Sequence, residues 1–382
     1  MNHQKILCLF GTYESRFPRT KTIIYAALKN GYRIEECHLP FWEKTKEKHE
    51  FFSLQSLAFS LLKLVLAYFR LIMKYTSVKE YDAMIVGYNG YFDVPLAKIL
   101  ARLKKKPLVF TPVFPLYETM VEDRAYVKRN SFKSRLIHKV DEIGCRLSDH
   151  IIIETEEYMK YYHREFGVPL DKFIKIPLGA DESNYYPRPE RKKSEDTVKV
   201  LFYGKFIPLQ GIEYIVRAAK ILEADHQITF EVIGSGQLTE KIRQLSKELK
   251  IKNIVFFDWV SYQDLPFHIR DADICLGIFG STPKARRGIP IKVYEAMAMK
   301  KPIITGDSPA AREVFTSGHD AVLCRMGDEK ALAQAIVMLK NDNMLREKVA
   351  QNAHSLYQKI FSSDRLAEDL KNAVDTILER KN

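Results

Sequence analysis

The chain has 382 residues, 46% of them hydrophobic, enough for two domains with full cores; this excludes a disordered or fibrous protein. Lys and Arg number 60 against 48 Asp and Glu, a formal charge of +12 that points to an anionic partner. Of nucleic acid, a phosphorylated substrate and an anionic membrane surface, nucleic acid is set aside, because no nucleic-acid module or zinc-ligand spacing is present.

The first predicted strand is Lys5-Ile-Leu-Cys-Leu-Phe10, followed by a glycine turn at Gly11 and a helix over residues 20–29. Met1–Lys5 leads straight into that strand, so no secretory signal peptide is expected. Residues 51–75 are strongly apolar, but Lys63 and Arg70 interrupt them, and the uncharged stretches fall short of the ~20 apolar residues a spanning helix needs. An amphipathic helix is expected there. Either it packs on a sheet, or it lays the first domain on a membrane with help from the Lys-rich residues 44–48. Apolar runs at 83–87, 108–110 and 150–153 continue a parallel sheet.

The clearest linker is the proline-rich, densely charged stretch beginning at Tyr185-Tyr-Pro-Arg-Pro. A second series of strands and helices follows. The strand at 199–203 ends in Gly204-Lys205 and leads to a helix over 211–222. The strand at 228–233 ends in Gly234-Ser-Gly236 and leads to a helix over 239–249. Strands at 253–257, 274–278 and 302–305 complete this sheet, and beyond residue 330 the chain reads as helical. The fold class is therefore α/β, with two Rossmann-like parallel-sheet domains facing across a cleft at the carboxyl ends of their strands. The domains are placed at 1–185 and 198–360, with a linker at 186–197 and a terminal helix at 361–382. Cys8, Cys37, Cys145, Cys275 and Cys324 are scattered without a Cys-x-x-Cys pair and read as core residues in a reducing compartment.

Three features carry chemistry. In Gly288-Ile-Pro-Ile-Lys-Val-Tyr-Glu295, Lys292 and Glu295 lie three apart near a helix start and share a face. Helix-start N–H groups and an ammonium suit phosphate, and a carboxylate one turn on suits vicinal hydroxyls such as those of a ribose. The alternative is a surface ion pair. Gly204-Lys205 with Gly211, and Gly234 with Gly236, place glycine loops between strands and helices, suited to a diphosphate; glycine at a strand end for a tight turn alone is the alternative. In the loop after Gly11, Arg16 and Arg19 either meet phosphate or are solvated charges. No His pair stands at ligand spacing, so no bound catalytic metal is expected. No Gly-x-Ser-x-Gly elbow is present either.

These residues resemble family 4 of the retaining glycosyltransferases, the group 1 type with the two-domain GT-B fold. The similarity covers most of the chain. It includes the Gly11 loop with Pro18-Arg19, Leu147-Ser-Asp-His-Ile-Ile-Ile-Glu-Thr155, Phe166-Gly-Val-Pro and Ile176-Pro-Leu-Gly-Ala-Asp181. It continues through Tyr203-Gly-Lys, Val232-Ile-Gly-Ser-Gly, Trp259-Val260, Ala272-Asp-Ile-Cys-Leu-Gly, Glu295-Ala-Met-Ala and Lys301-Pro-Ile-Ile. The resemblance implies metal-independent transfer of a sugar from a nucleotide-sugar, UDP-linked by preference, with no cofactor. The acceptor would be a glycan or lipid-linked acceptor in cell-surface polysaccharide or glycolipid synthesis, and the enzyme cytoplasmic and peripheral on a membrane. Lys205 would neutralise the leaving diphosphate, with Arg287 or Lys292 taking over further charge. Gly11, Thr12, Gly204, Gln210, Gly211, Gly234 and Gly236 would border the donor, Glu295 the ribose and Val260 the base. Arg16, Glu118 and Asp123 are acceptor-side candidates, and the helix around 363–378 would cross back to the first domain.

Three positions depart from the family pattern. Arg287 stands where the family's first glutamate is usual, Gln210 where a second phosphate-binding lysine is common, and the histidine after a central strand of the first domain is absent. A nucleotide-sugar epimerase or hydrolase on the same fold, and a non-catalytic partner that keeps it, are the alternative functions.

Overall fold

The computed structural model describes residues 4–15, 17–41, 57–189 and 197–379. The chain forms two compact units: Met1–Leu178 with Ser363–Asn382, and Gly179–Ser362. The division falls ahead of residue 185, where the sequence places it, because Tyr185 is buried among second-unit side chains, its ring 5.7 Å from that of Tyr262. Most of the expected linker, residues 190–196, lies outside the described residues.

The first unit runs β1 (Ile6–Gly11), α1 (Pro18–Lys29), β2 (Arg33–His38), α2 (Leu57–Tyr75), β3 (Ala83–Val86), α3 (Val94–Leu103), β4 (Leu108–Phe110), α4 (Phe132–Leu147), β5 (His150–Ile153), α5 (Glu156–Phe166) and β6 (Phe173–Lys175). Its six strands are parallel in the order β2-β1-β3-β4-β5-β6. Central strands such as Ala83-Met-Ile-Val86 are buried on both faces, which is why they read as unbroken apolar runs. Edge strands β2 and β6 escape that signal: β2 reads Arg-Ile-Glu-Glu-Cys-His, with charges tolerated on an edge.

The second unit runs β7 (Val198–Tyr203), α6 (Ile212–Ile221), β8 (Ile228–Ile233), α7 (Thr239–Glu248), β9 (Ile254–Phe257), α8 (Leu265–Asp271), β10 (Ile274–Leu276), α9 (Ile291–Ala298), β11 (Ile303–Gly306), α10 (Pro309–Arg312), β12 (Val322–Cys324), α11 (Glu329–Asn341) and α12 (Asn343–Ile360). Its sheet is again six parallel strands, in the order β12-β11-β10-β7-β8-β9. The sequence does not announce β12, which is only three residues long at an edge.

The last helix, α13 (Ser363–Glu379), belongs to the first unit. Leu366, Ala367, Leu370, Ala373, Val374 and Ile377 recur at helical spacing and are buried with Ile23, Ala26 and Ala27 of α1 and with Leu7, Leu9 and Ile85 of the sheet. Helices α2 to α5 contribute to the core on the sheet's other face. All five cysteines are buried and unpaired. Among the described residues no helix is long and apolar enough to cross a membrane.

Leu370→Ala should cost about 3 kcal/mol, because it opens a cavity between α13 and the first sheet. Chemical denaturation measures this directly. A cost below about 1 kcal/mol would show that α13 adds little to the first unit's core.

Candidate active site

Helix α9 begins after Pro290 in extended conformation and buries every residue from Lys292 to Ala298. Lys292 and Glu295 are therefore not a surface pair. The Lys292 ammonium lies 3.7 Å from the centre of the Phe202 ring on β7, donates to Gln210 Oε1 at 2.5 Å, and reaches the Gly277 carbonyl at 3.4 Å. Both acceptors are neutral. Burial drives its pKa well below the ordinary lysine value, with Glu295 opposing the shift. Glu295 is pushed the other way by burial, up to about 7, while the hydroxyls of Tyr203 and Tyr185 and the charge of Lys292 pull it down. Tyr203 also donates to the Lys292 carbonyl at 3.1 Å, tying β7 to the first turn of α9. Beyond Tyr185, Asp181 accepts from the Tyr262 hydroxyl at 3.0 Å, and Asn184 donates to the Tyr262 carbonyl at 2.8 Å.

Strands β7 and β8 run in register from Val198 and Ile228 to Tyr203 and Ile233, so their glycine loops leave the sheet side by side. The Gly204 amide donates to the Ile233 carbonyl at 2.9 Å, and Phe206 to the Ser235 carbonyl at 3.0 Å. Gly234 has φ +142°, and a Cβ there would sit 1.9 Å from the Gly204 carbonyl oxygen, so no other residue fits without separating the loops. A Cβ on Gly204 would stand 3.1 Å from Lys292 Nζ, which places the buried ammonium directly beneath this loop. Lys205 follows, exposed. Gly211 caps α6 against Gly280, and the Gly236 amide is held by the Thr239 hydroxyl at 2.7 Å. Arg287 is half-buried after the short helical turn Lys284–Arg286. Val260 is half-buried beside Trp259, which is 77% exposed.

The structure thus gathers Gly204, Lys205, Gln210, Gly234, Lys292 and Glu295 at one end of the second sheet. Gln210, expected at the donor, is buried and spends its carbonyl oxygen holding Lys292. Asp181, Tyr185, Tyr203 and Tyr262 were not expected. Asp181 lies in a string the sequence singles out, but Tyr185 reads as linker because two prolines and a charge run follow it.

In the first unit, Gly11 has φ +121°, and a Cβ there would meet Asp93 Oδ2 at 2.4 Å. Asp93 accepts the Thr12 amide at 2.6 Å and the Thr12 hydroxyl at 3.0 Å, so Thr12 spends both donors on this buried carboxyl. Burial raises Asp93 to about 7, against the Thr12 hydrogen bonds. Arg19 is fully buried and donates to the Ile176 and Pro177 carbonyls at 2.7 and 3.1 Å, which makes it a clamp within the unit and not a phosphate ligand. Glu118 and Asp123 bound a π-helical turn that directs them inward; both are buried, and Glu118 accepts from the Tyr158 hydroxyl at 3.0 Å. Neither therefore presents an open carboxylate to an acceptor. Arg16 lies outside the described residues.

Among the described residues no three His, Cys, Asp or Glu side chains converge to hold a metal. The expectation of no metal also takes the chain to lack an Asp-x-Asp pair, and this is corrected: Asp271 and Asp273 form one, with both carboxylates engaged in the structure. Arg270 forks onto Asp271, and Asp273 accepts the Lys199 amide at 2.8 Å.

Residues 187–356 match the family model for group 1 glycosyl transferases. That match spans most of the second unit. Over 294 residues the chain is 22% identical to an uncharacterised glycosyltransferase of Methanocaldococcus jannaschii, covering 76% of this chain and 75% of that protein. It is 20% identical to the O-antigen chain mannosyltransferase C of Escherichia coli, covering 79% and 77%. Anabaena HepE, solved with UDP-glucose, superposes with TM-score 0.69 at 15% identity, covering 98% of this chain and all of that one. The two six-stranded parallel sheets are those of the GT-B fold. The group 1 match and the glycosyltransferase relatives together make the chain a glycosyltransferase.

The protonation of Glu295 gives this glycosyltransferase a pH signature. The folded carboxyl keeps its proton up to about pH 7, the unfolded one only to about 4.5. The stability this proton contributes is complete below 4.5 and is lost as pH rises through 7, by roughly 3 kcal/mol. Lys292 acts in the opposite sense with or without the carboxyl. Unfolding free energies of wild type and Glu295→Gln should therefore diverge by about that amount across this window, the variant gaining as pH rises. Parallel pH profiles would show that Glu295 is already ionised in the folded chain.

Proposed function

We propose that this glycosyltransferase moves a hexose from a UDP-sugar, with retention at the anomeric carbon and without a metal. The acceptor is a glycan or lipid-linked acceptor in cell-surface polysaccharide or glycolipid synthesis, and the enzyme works peripherally at the cytoplasmic face of a membrane. The observation that carries the donor reading is Lys292: a buried ammonium under the Gly204 loop, held only by neutral acceptors. A diphosphate at that loop supplies the missing counter-charge. Lys205, exposed on the same loop, and Arg287 complete the cationic set that stabilises the departing diphosphate. Glu295, protonated up to about pH 7, can both donate to and accept from the vicinal hydroxyls of a ribose. The UDP-glucose bound by Anabaena HepE supports uracil as the base, and the O-antigen mannosyltransferase supports a surface-glycan product. An epimerase, a hydrolase or a non-catalytic partner has no such support.

Thermal melting with UDP, GDP, ADP and their sugars, in the presence of EDTA, tests the donor. UDP at a hundred times its dissociation constant should stabilise by about 2.7 kcal/mol. A larger shift from another base would replace UDP. Lys205→Ala should lower turnover on the order of tenfold to a hundredfold without lowering Tm, the loss of one charge-assisted phosphate contact. Unchanged turnover would remove Lys205 from the site.

A further inference from the structure

Helix α2 presents two faces with different surroundings. Leu64, Ala67, Leu71 and Tyr75, spaced three and four apart, are buried, Leu71 and Tyr75 in the core on the first sheet and Leu64 against Phe41 and Phe92. The opposite face carries Leu62, Val65, Leu66, Phe69, Ile72 and Met73, all between 40% and 65% exposed. Single exposed apolar residues are ordinary, but six on one helix face form a patch that calls for a partner. At 100° per residue, Lys63, Arg70 and Lys74 fall together on one flank of that patch. The helix Leu57–Tyr75 contains no acidic residue.

Helix α3 leaves two further large apolar side chains exposed. The Tyr75 hydroxyl, on the buried face of α2, donates to the Leu100 carbonyl of α3 at 3.3 Å, and Ile99 and Leu103 of α3 are 60% and 77% exposed. Helix α3 has no acidic residue and two basic ones, Arg102 and Lys98, the latter ion-paired with Asp149 at 2.5 Å. Lys104, Lys105 and Lys106 follow it.

We propose that this exposed face of α2 docks the first unit on an anionic lipid surface. The apolar side chains enter the boundary between headgroups and acyl chains, and Lys63, Arg70 and Lys74 meet lipid phosphates. Charge selects this occupant. In a symmetric dimer through the same face, a flank without acids would meet its own cations, whereas an anionic bilayer offers them counter-charges. The inference rests on the peripheral reading given above and adds to it the surface that makes the contact.

Co-sedimentation of the full chain with phosphatidylcholine vesicles, with and without phosphatidylglycerol, tests it, alongside UDP-induced thermal shift in the absence of lipid. The chain should bind the anionic vesicles, release them as salt rises, and pass over neutral ones. Leu66→Glu with Phe69→Glu should weaken vesicle binding at least about tenfold while leaving the UDP shift intact. Arg70→Glu alone should weaken it about fivefold or more. Absent binding, or binding untouched by these variants, overturns the proposal while an intact UDP shift leaves the donor reading standing. Vesicle binding without any UDP shift does the reverse. A halving of mass in size-exclusion chromatography for the double variant, without vesicle binding by the wild type, assigns the face to a second copy and also overturns it.

Discussion

The second unit is organised around one costly group, the ammonium of Lys292. A lysine this deep normally has a carboxylate beside it or gives up its proton. Here Glu295 is on the same helix but does not form a direct ion pair, and the contacts made are an amide oxygen, a backbone carbonyl and an aromatic face. Such a set orients a cation without neutralising it. The neighbouring carboxyl, held protonated up to about pH 7, fits the same account. Burial works against the charge of both groups, and neither is placed to cancel the other. That arrangement costs folding energy, and the donor proposed above would offset the cost.

The cost is confined because the surrounding backbone is tightly constrained. Strands β7 and β8 end in register, and the Gly204 carbonyl lies where a Gly234 side chain would otherwise be. The loops therefore cannot drift apart without losing the hydrogen bonds from Gly204 to Ile233 and from Phe206 to Ser235. A rigid loop above a pre-placed ammonium needs little reorganisation when charge develops on a leaving group, and this is where electrostatic catalysis gains most.

How far the sequence made this legible depends on which force shapes each part. Central strands were readable because burial on both faces writes an apolar run; β2, β6 and β12 were not, because edges tolerate charge and brevity. The strand-end glycines and the shared face of Lys292 and Glu295 were readable because backbone geometry and helix period are local rules. What stayed hidden is long-range pairing. Gln210 and Lys292 are 82 positions apart, and Glu118 and Tyr158 are 40 apart. No local pattern tells that Gln210 turns to hold a lysine, that a π-helical turn points Glu118 inward, or that Arg19 clamps Ile176 and Pro177. Tyr185 was hidden for a different reason: composition marks the segment after it as linker, while its own ring is buried.

The two units repeat one architecture and give their first strand-end glycine opposite electrical surroundings. In the first, Gly11 is pressed against Asp93, a buried acid that takes both the amide and the hydroxyl of Thr12. The donors that such a loop could offer an anion are largely spent inside the unit, and the buried group nearest the glycine is acidic. In the second, Gly204 is pressed against Lys292 and followed by exposed Lys205. The same βα geometry therefore ends over a buried acid in one unit and over a buried lysine in the other. The difference rests on which buried side chain lies under the glycine, and it is this difference that gives the proposed donor site its positive charge in the second unit.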